Sequence, residues 1–114
     1  MTKDYRAIQQ SVVEGAVALR EAIPDVAKGF GALGAGAYKP GALEPKIKEL
    51  ISLALAIAAH CDGCIAYHVK AAHDRGARRD EVAEAIGVAI HMGGGPSMVY
   101  GADALRAYDA FAGT

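Results

Sequence analysis

The sequence predicts an all-α protein, a compact bundle of about six helices in a single domain spanning residues 1–114. Three observations carry that prediction. Apolar residues recur at intervals of three and four along most of the chain. Pro24, Pro45, Gly76, Pro96 and the run Gly93 to Gly95 punctuate it. No stretch of useful length alternates with the period of a strand.

The first helix is expected from Tyr5 to Ile23, where Ile8, Val12, Ala16, Leu19 and Ile23 form one stripe and Pro24 stops the run. Pro24-Asp25 suits the start of a shorter second helix through Val26 and Phe30. That helix should dissolve in G-A-L-G-A-G-A-Y-K-P-G, read as an apolar connector packed on the domain surface. A third helix should run from about Glu44 to Ala59 or His60, with Pro45 at an early position. Ile47, Leu50, Ile51, Ala54, Leu55 and Ala58 make one face of it apolar, and Leu53 and Ile57 make the other side apolar too. One side is expected to meet the core and the other a neighbouring subunit.

Asp62 is expected to cap a fourth helix ending at Arg75, with Gly76 as its left-handed terminus. Asp80-Glu81 open a fifth, carrying Val82, Ala83, Ile86 and Ile90, which Gly93 to Gly95 end in a tight turn. Pro96 opens the last, with Met98, Val99, Ala102, Leu105, Tyr108 and Phe111 as its buried stripe.

Twelve Lys and Arg against 13 Asp and Glu leave a net charge of −1, with no excess of either sign for a polyanion to bind. Nucleic acid is therefore not expected as a partner. The longest apolar run, Leu50 to Ala59, is about half the roughly 20 residues of a membrane span. No membrane association is expected from it. The amino terminus mixes charges and glutamines where a secretory signal carries a continuous apolar region, so a reducing, cytoplasmic setting is expected. There a C-x-x-C pair reads as catalytic or metal-binding rather than as a structural bridge. The hydrophobic class makes up 53% of the chain before its 14 glycines are counted, more apolar surface than a small monomer easily hides, which points to oligomerisation.

Reactive groups gather between Glu49 and His68, a stretch that holds His60, both cysteines, Cys61 and Cys64, and His68. On a helix starting near Asp62, Cys61, Cys64 and His68 fall on one face at steps of three and four. A helix amino terminus and a nearby base can lower a thiol pKa from about 8.5 toward neutrality. His68 can take the proton, and a second thiol converts a sulfenic acid or mixed disulfide into a disulfide. Asp62 opposes thiolate formation, less so where it is exposed and screened. Glu49 lies 12 residues before Cys61, about 18 Å along a helix. It reaches His68 only if the third and fourth helices pack antiparallel.

Other readings stay open on the residues alone. The cysteines can be small core hydrophobes. His60, Cys61, Cys64 and His68 supply four zinc donors, although one turn of chain rarely closes a tetrahedral site, so no metal is expected. Haem attachment would need C-x-x-C-H, and Ile65 follows Cys64. His73 and His91 read as surface or core histidines, Tyr67 as a packing residue, and Arg78-Arg79 as solvated.

Glu49, Cys61-Asp62-Gly63-Cys64 and His68 together resemble the E-x11-C-x-x-C-x-x-x-H signature of the alkylhydroperoxidase D-like group in the carboxymuconolactone decarboxylase superfamily. The run I-H-M-G-G-G-P-S-M-V-Y-G-A-D-A-L resembles the small members of that group. The resemblance implies an all-α fold assembling through helix faces into homotrimers or homohexamers. It implies a thiol-dependent hydroperoxide reductase, with a general disulfide oxidoreductase as the alternative. Cys64 would be the peroxide-attacking thiol, Cys61 its resolving partner, and His68 with Glu49 the proton relay. An external dithiol protein would return the electrons, with no cofactor. Larger members often carry a histidine before the second cysteine, where this chain has Gly63, and His60 is the nearby imidazole that could substitute. Decarboxylase members lack the cysteine pair, which disfavours lactone chemistry; a carboxymuconolactone decarboxylase-like protein with non-catalytic cysteines is the further alternative.

Overall fold

A computed structural model describes residues 3–113, so the first two residues and the last of the expected domain lie outside the described residues. Six α-helices account for most of them: α1 Tyr5–Ala22, α2 Pro24–Ala37, α3 Pro45–Ala58, α4 Asp62–Asp74, α5 Arg79–Gly93 and α6 Gly95–Ala112. Among the described residues there is no strand. Among the described residues no helix is long and apolar enough to cross a membrane.

Each boundary has a local cause. Asp4 caps α1 by accepting a hydrogen bond from the Ala7 N–H at 3.1 Å. Pro24, Pro45 and Pro96 occupy first-turn positions, where their missing N–H costs nothing. Helix α4 closes as a Schellman motif: the Ala77 N–H donates to the Ala72 carbonyl, the Gly76 N–H donates to the His73 carbonyl, and Gly76 lies at φ +87°. Gly94 ends α5 and starts α6 at φ 72° and ψ −153°, a region open to glycine. A Cβ on Gly93 would overlap the Ser97 hydroxyl, and one on Gly101 would lie 2.7 Å from Ile86 Cγ2, so α5 and α6 approach closely through glycine.

The core is shared by α3 to α6. Leu53 and Ile57 of α3, Ile65 and Val69 of α4 and Val82 of α5 are fully buried, each side chain contributing roughly 1.5–3 kcal/mol relative to exposure. Tyr5 joins them from α1, and Tyr108 of α6 donates its hydroxyl to the Ala77 carbonyl at 2.7 Å, sealing the α4–α5 turn.

Three sequence expectations change. Helix α2 does not dissolve after Phe30 but runs through Gly31, Gly34 and Gly36 to Ala37. Glycine costs a helix up to about 1 kcal/mol relative to alanine without forbidding it, and the first true breaker is Pro40. On α3 the buried side is Glu49, Leu53, Ala56 and Ile57, while Ile51, Leu55 and Ala58 face outward. With apolar residues on both sides of α3, the close contacts with α4 and α5 decide which side is buried. On α6 the inward residues are Ser97, Gly101, Ala104, Ala107 and Tyr108, whereas Met98, Val99 and Ala102 are exposed. Close packing on α5 selects the small residues of that helix.

Candidate functional site

The joint between α3 and α4 is three residues long, Ala59 to Cys61. Helix α3 ends as a second Schellman motif, with the Cys61 N–H donating to the Ala56 carbonyl at 3.2 Å and the His60 N–H to the Ile57 carbonyl at 3.0 Å. His60 fills the left-handed position usually held by glycine, at φ 55°. Cys61 is thus the last residue of one motif and the N-cap of the next helix. Its Sγ accepts a hydrogen bond from the Cys64 N–H at 3.2 Å. Asp62, expected as the cap, is instead the first helical residue, because the extended backbone of Cys61 places the sulfur over the free N–H groups.

Cys61 and Cys64 form a disulfide with their Cα atoms 5.2 Å apart. Cys64 is exposed and Cys61 half-buried, so an incoming group meets Cys64 first. One turn further along α4 stands His68, whose Nδ1 lies 2.8 Å from Glu49 Oε1. Glu49 is only 5% exposed, and a buried carboxylate needs a partner. With Glu49 ionised, the contact fixes Nδ1 as the protonated ring nitrogen and leaves Nε2 for proton exchange.

Two tyrosines frame the imidazole. Tyr38, just beyond α2, stacks on it with ring centres 6.0 Å apart, and its hydroxyl is hydrogen-bonded to Ser52 Oγ of α3. Tyr67 meets it edge-on at 5.2 Å. Glu49 and Tyr67 also line a cleft of about 330 Å³ with Ala71, Asp74 and Arg75. His60 goes elsewhere, its ring stacked on Tyr100 of α6 at 4.8 Å. His73 packs edge-on against Tyr108, and His91 is exposed.

Gly63 has a steric reason. A Cβ there would come within 3.0 Å of Val12 Cγ2, so α1 occupies the space a side chain at this position would take. Asp62 is held from two sides, by the Lys3 ammonium at 2.9 Å and the Tyr5 hydroxyl at 2.9 Å. Sequence reasoning did not find Lys3, Tyr5, Tyr38, Ser52 or Tyr100 as neighbours of the site. Tyr38 had a usable signal, an aromatic in a run otherwise made of small residues; the Lys3 contact spans 59 positions and had none. Among the described residues no group of three or more His, Cys, Asp or Glu is arranged to hold a metal ion.

The family model for the carboxymuconolactone decarboxylase family matches residues 24–107. An uncharacterized protein of Cupriavidus necator is 34% identical over 110 residues, covering 96% of this chain and 97% of its own length. A second relative, from Paracoccus denitrificans, is 37% identical over 84 residues, 74% of this chain and 76% of its own. Among solved structures, a carboxymuconolactone decarboxylase family protein from Legionella pneumophila superimposes with a TM-score of 0.91 at 40% identity, covering 94% of this chain and 96% of its own. A family protein from Thermotoga maritima, described in connection with an antioxidative response, gives 0.79 at 29% identity over 90% of this chain and 91% of its own.

Proposed function

The chain belongs to the carboxymuconolactone decarboxylase family, as an alkylhydroperoxidase D-like member, and from that premise we propose that it is a thiol-dependent hydroperoxide reductase. The observation that carries the reading is the buried Glu49 carboxylate bonded to His68, one turn beyond an exposed cysteine of a C-x-x-C pair. A structural bridge needs no relay beside it. The antioxidative connection of the Thermotoga maritima relative points the same way.

In the reduced protein, His68 takes the proton of the Cys64 thiol while Glu49 holds the imidazole in place. The Cys64 thiolate attacks the distal oxygen of the hydroperoxide. The O–O bond breaks, an S–O bond forms, and the leaving alkoxide takes the proton from His68 to depart as an alcohol. Cys61 then attacks the Cys64 sulfenic acid, forming the disulfide and releasing water. A substrate dithiol protein restores both thiols by two exchange steps, becoming a disulfide itself.

The geometry suits that return. A reductant thiolate reaches the exposed Cys64, and Cys61 leaves as a thiolate whose sulfur already accepts the Cys64 N–H at a helix amino terminus. A better-stabilised leaving thiolate departs faster. The same observation favours the second reading, a general disulfide oxidoreductase in which a small or protein disulfide replaces the peroxide. Cytoplasmic localisation fits a thiol pair that must be kept reducible.

Replacing each cysteine by serine tests the assignment. Cys64→Ser is expected to abolish hydroperoxide consumption, and Cys61→Ser to accumulate a sulfenic acid on Cys64 detectable by mass spectrometry. Wild-type rates in both variants would refute the peroxidase reading, and reduction of a disulfide substrate without peroxide consumption would establish the second.

A further inference from the structure

Asp62 sits in sequence between the two cysteines, and a carboxylate there opposes a thiolate on either neighbour. The fold answers it with a clip from the amino-terminal segment. Lys3 Nζ bridges Asp62 Oδ1 at 2.9 Å and Asp103 Oδ2 of α6 at 3.0 Å, over the Tyr100 ring at 4.8 Å. The Tyr5 hydroxyl donates to the same Asp62 oxygen at 2.9 Å, and Arg106 holds the other Asp103 oxygen at 2.6 Å. The cluster is therefore two carboxylates against two cations, neutral with Lys3 and singly negative without it.

We propose that Lys3 is a positioning residue of the redox centre: by pairing with Asp62 it removes the carboxylate's opposition to a thiolate at Cys64 and keeps that thiol reactive near neutral pH. The proposal rests on the redox reading of the cysteine pair. The ion pair is partly exposed, so its electrostatic effect is moderate. It is nevertheless held by more than charge. Burial, then the hydrogen bond to Asp62, push the Tyr5 phenol up, so Tyr5 stays a hydrogen-bond donor to the carboxylate. Other charged or titratable groups about the turn include His68 on α4 with Glu49 of α3, His60 at the joint, and Asp103, Arg106 and Tyr100 on α6.

A residue that merely tied α1 to α4 would be replaceable by any that keeps the helices together. One that acts through charge would be replaceable only by another cation. The test is the pH profile of Cys64 alkylation by iodoacetamide in the reduced protein, mapped by mass, for wild type, Lys3→Met, Lys3→Arg and Lys3→Met combined with Asp62→Asn. Lys3→Met is expected to move the profile up by about half a pH unit, an approximately threefold loss of thiolate near neutrality. Lys3→Arg is expected to restore it, and the double variant to return to the wild-type position or below. An unchanged Lys3→Met profile, at unchanged helical circular dichroism, overturns the proposal, as does a shift that Asp62→Asn does not reverse. Peroxide consumption is measured on the same samples. A wild type that shows the expected profile series but consumes no peroxide supports the clip and contradicts the hydroperoxidase reading instead.

Discussion

Glu49 is the residue whose chemistry depends most on the fold. A carboxylate in an apolar helix is costly to bury, and its contact with His68 is what makes the position tolerable and useful. Glu49→Gln keeps the shape and a hydrogen bond but removes the charge that balances a protonated imidazole. We expect hydroperoxide consumption to fall by about 10² or more, the usual lower bound for positioned acid–base catalysis, with little change in helical content. A variant as fast as wild type would make Glu49 a packing residue. Gly63 belongs to the same scale. Its lack of a side chain admits Val12 of α1 against the start of α4.

Among the elements, what could be read in the sequence was what is decided locally. Pro45 and Pro96 open helices, Gly76 closes one, and the cysteines and His68 share a short stretch of α4, all from spacing alone. What could not be read was decided by contacts between elements. The face of α3 that turns inward is set by α4 and α5, not by a helix that is apolar all round. The span of α2 is set by the distance to Pro40, against a glycine run that imitates a loop. Glu49 meets His68 because α3 folds back along α4 through a joint of three residues, and Lys3 meets Asp62 across 59 positions of chain. Helix α6 shows the same rule in its packing. Its inward residues Ser97, Gly101, Ala104 and Ala107 are small, and α5 comes close enough that a Cβ on Gly101 would press on Ile86 Cγ2 at 2.7 Å. Gly101→Ala is accordingly expected to lower stability by about 1–3 kcal/mol, the range of core overpacking. Urea denaturation would measure it, and an unchanged midpoint would mean that the two helices separate freely.

For the whole molecule, the unpaired apolar surface is the prominent property. Among the described helices α2 packs only on α1, and Val26, Phe30 and Leu33 along it are exposed, Phe30 at 76%. Ile51 and Leu55 of α3 and Met98 and Val99 of α6 are exposed as well. Surface of this kind favours association, and we propose that copies of the chain cover it in a homotrimer or homohexamer. Phe30→Asp is expected to dissociate the assembly, read as molar mass by light scattering. A wild type that runs as a monomer would contradict the proposed assembly.

Electron exchange between a hydroperoxide and the Cys61–Cys64 pair can be followed in a single turnover. Reduced wild-type protein is given one equivalent of an organic hydroperoxide in the absence of any other reductant, and thiols, alcohol and protein mass are followed together. Both thiols are expected to disappear, with release of one equivalent of alcohol and a Cys61–Cys64 disulfide as the protein product. Thiols that persist alongside unconsumed hydroperoxide would contradict the hydroperoxidase reading.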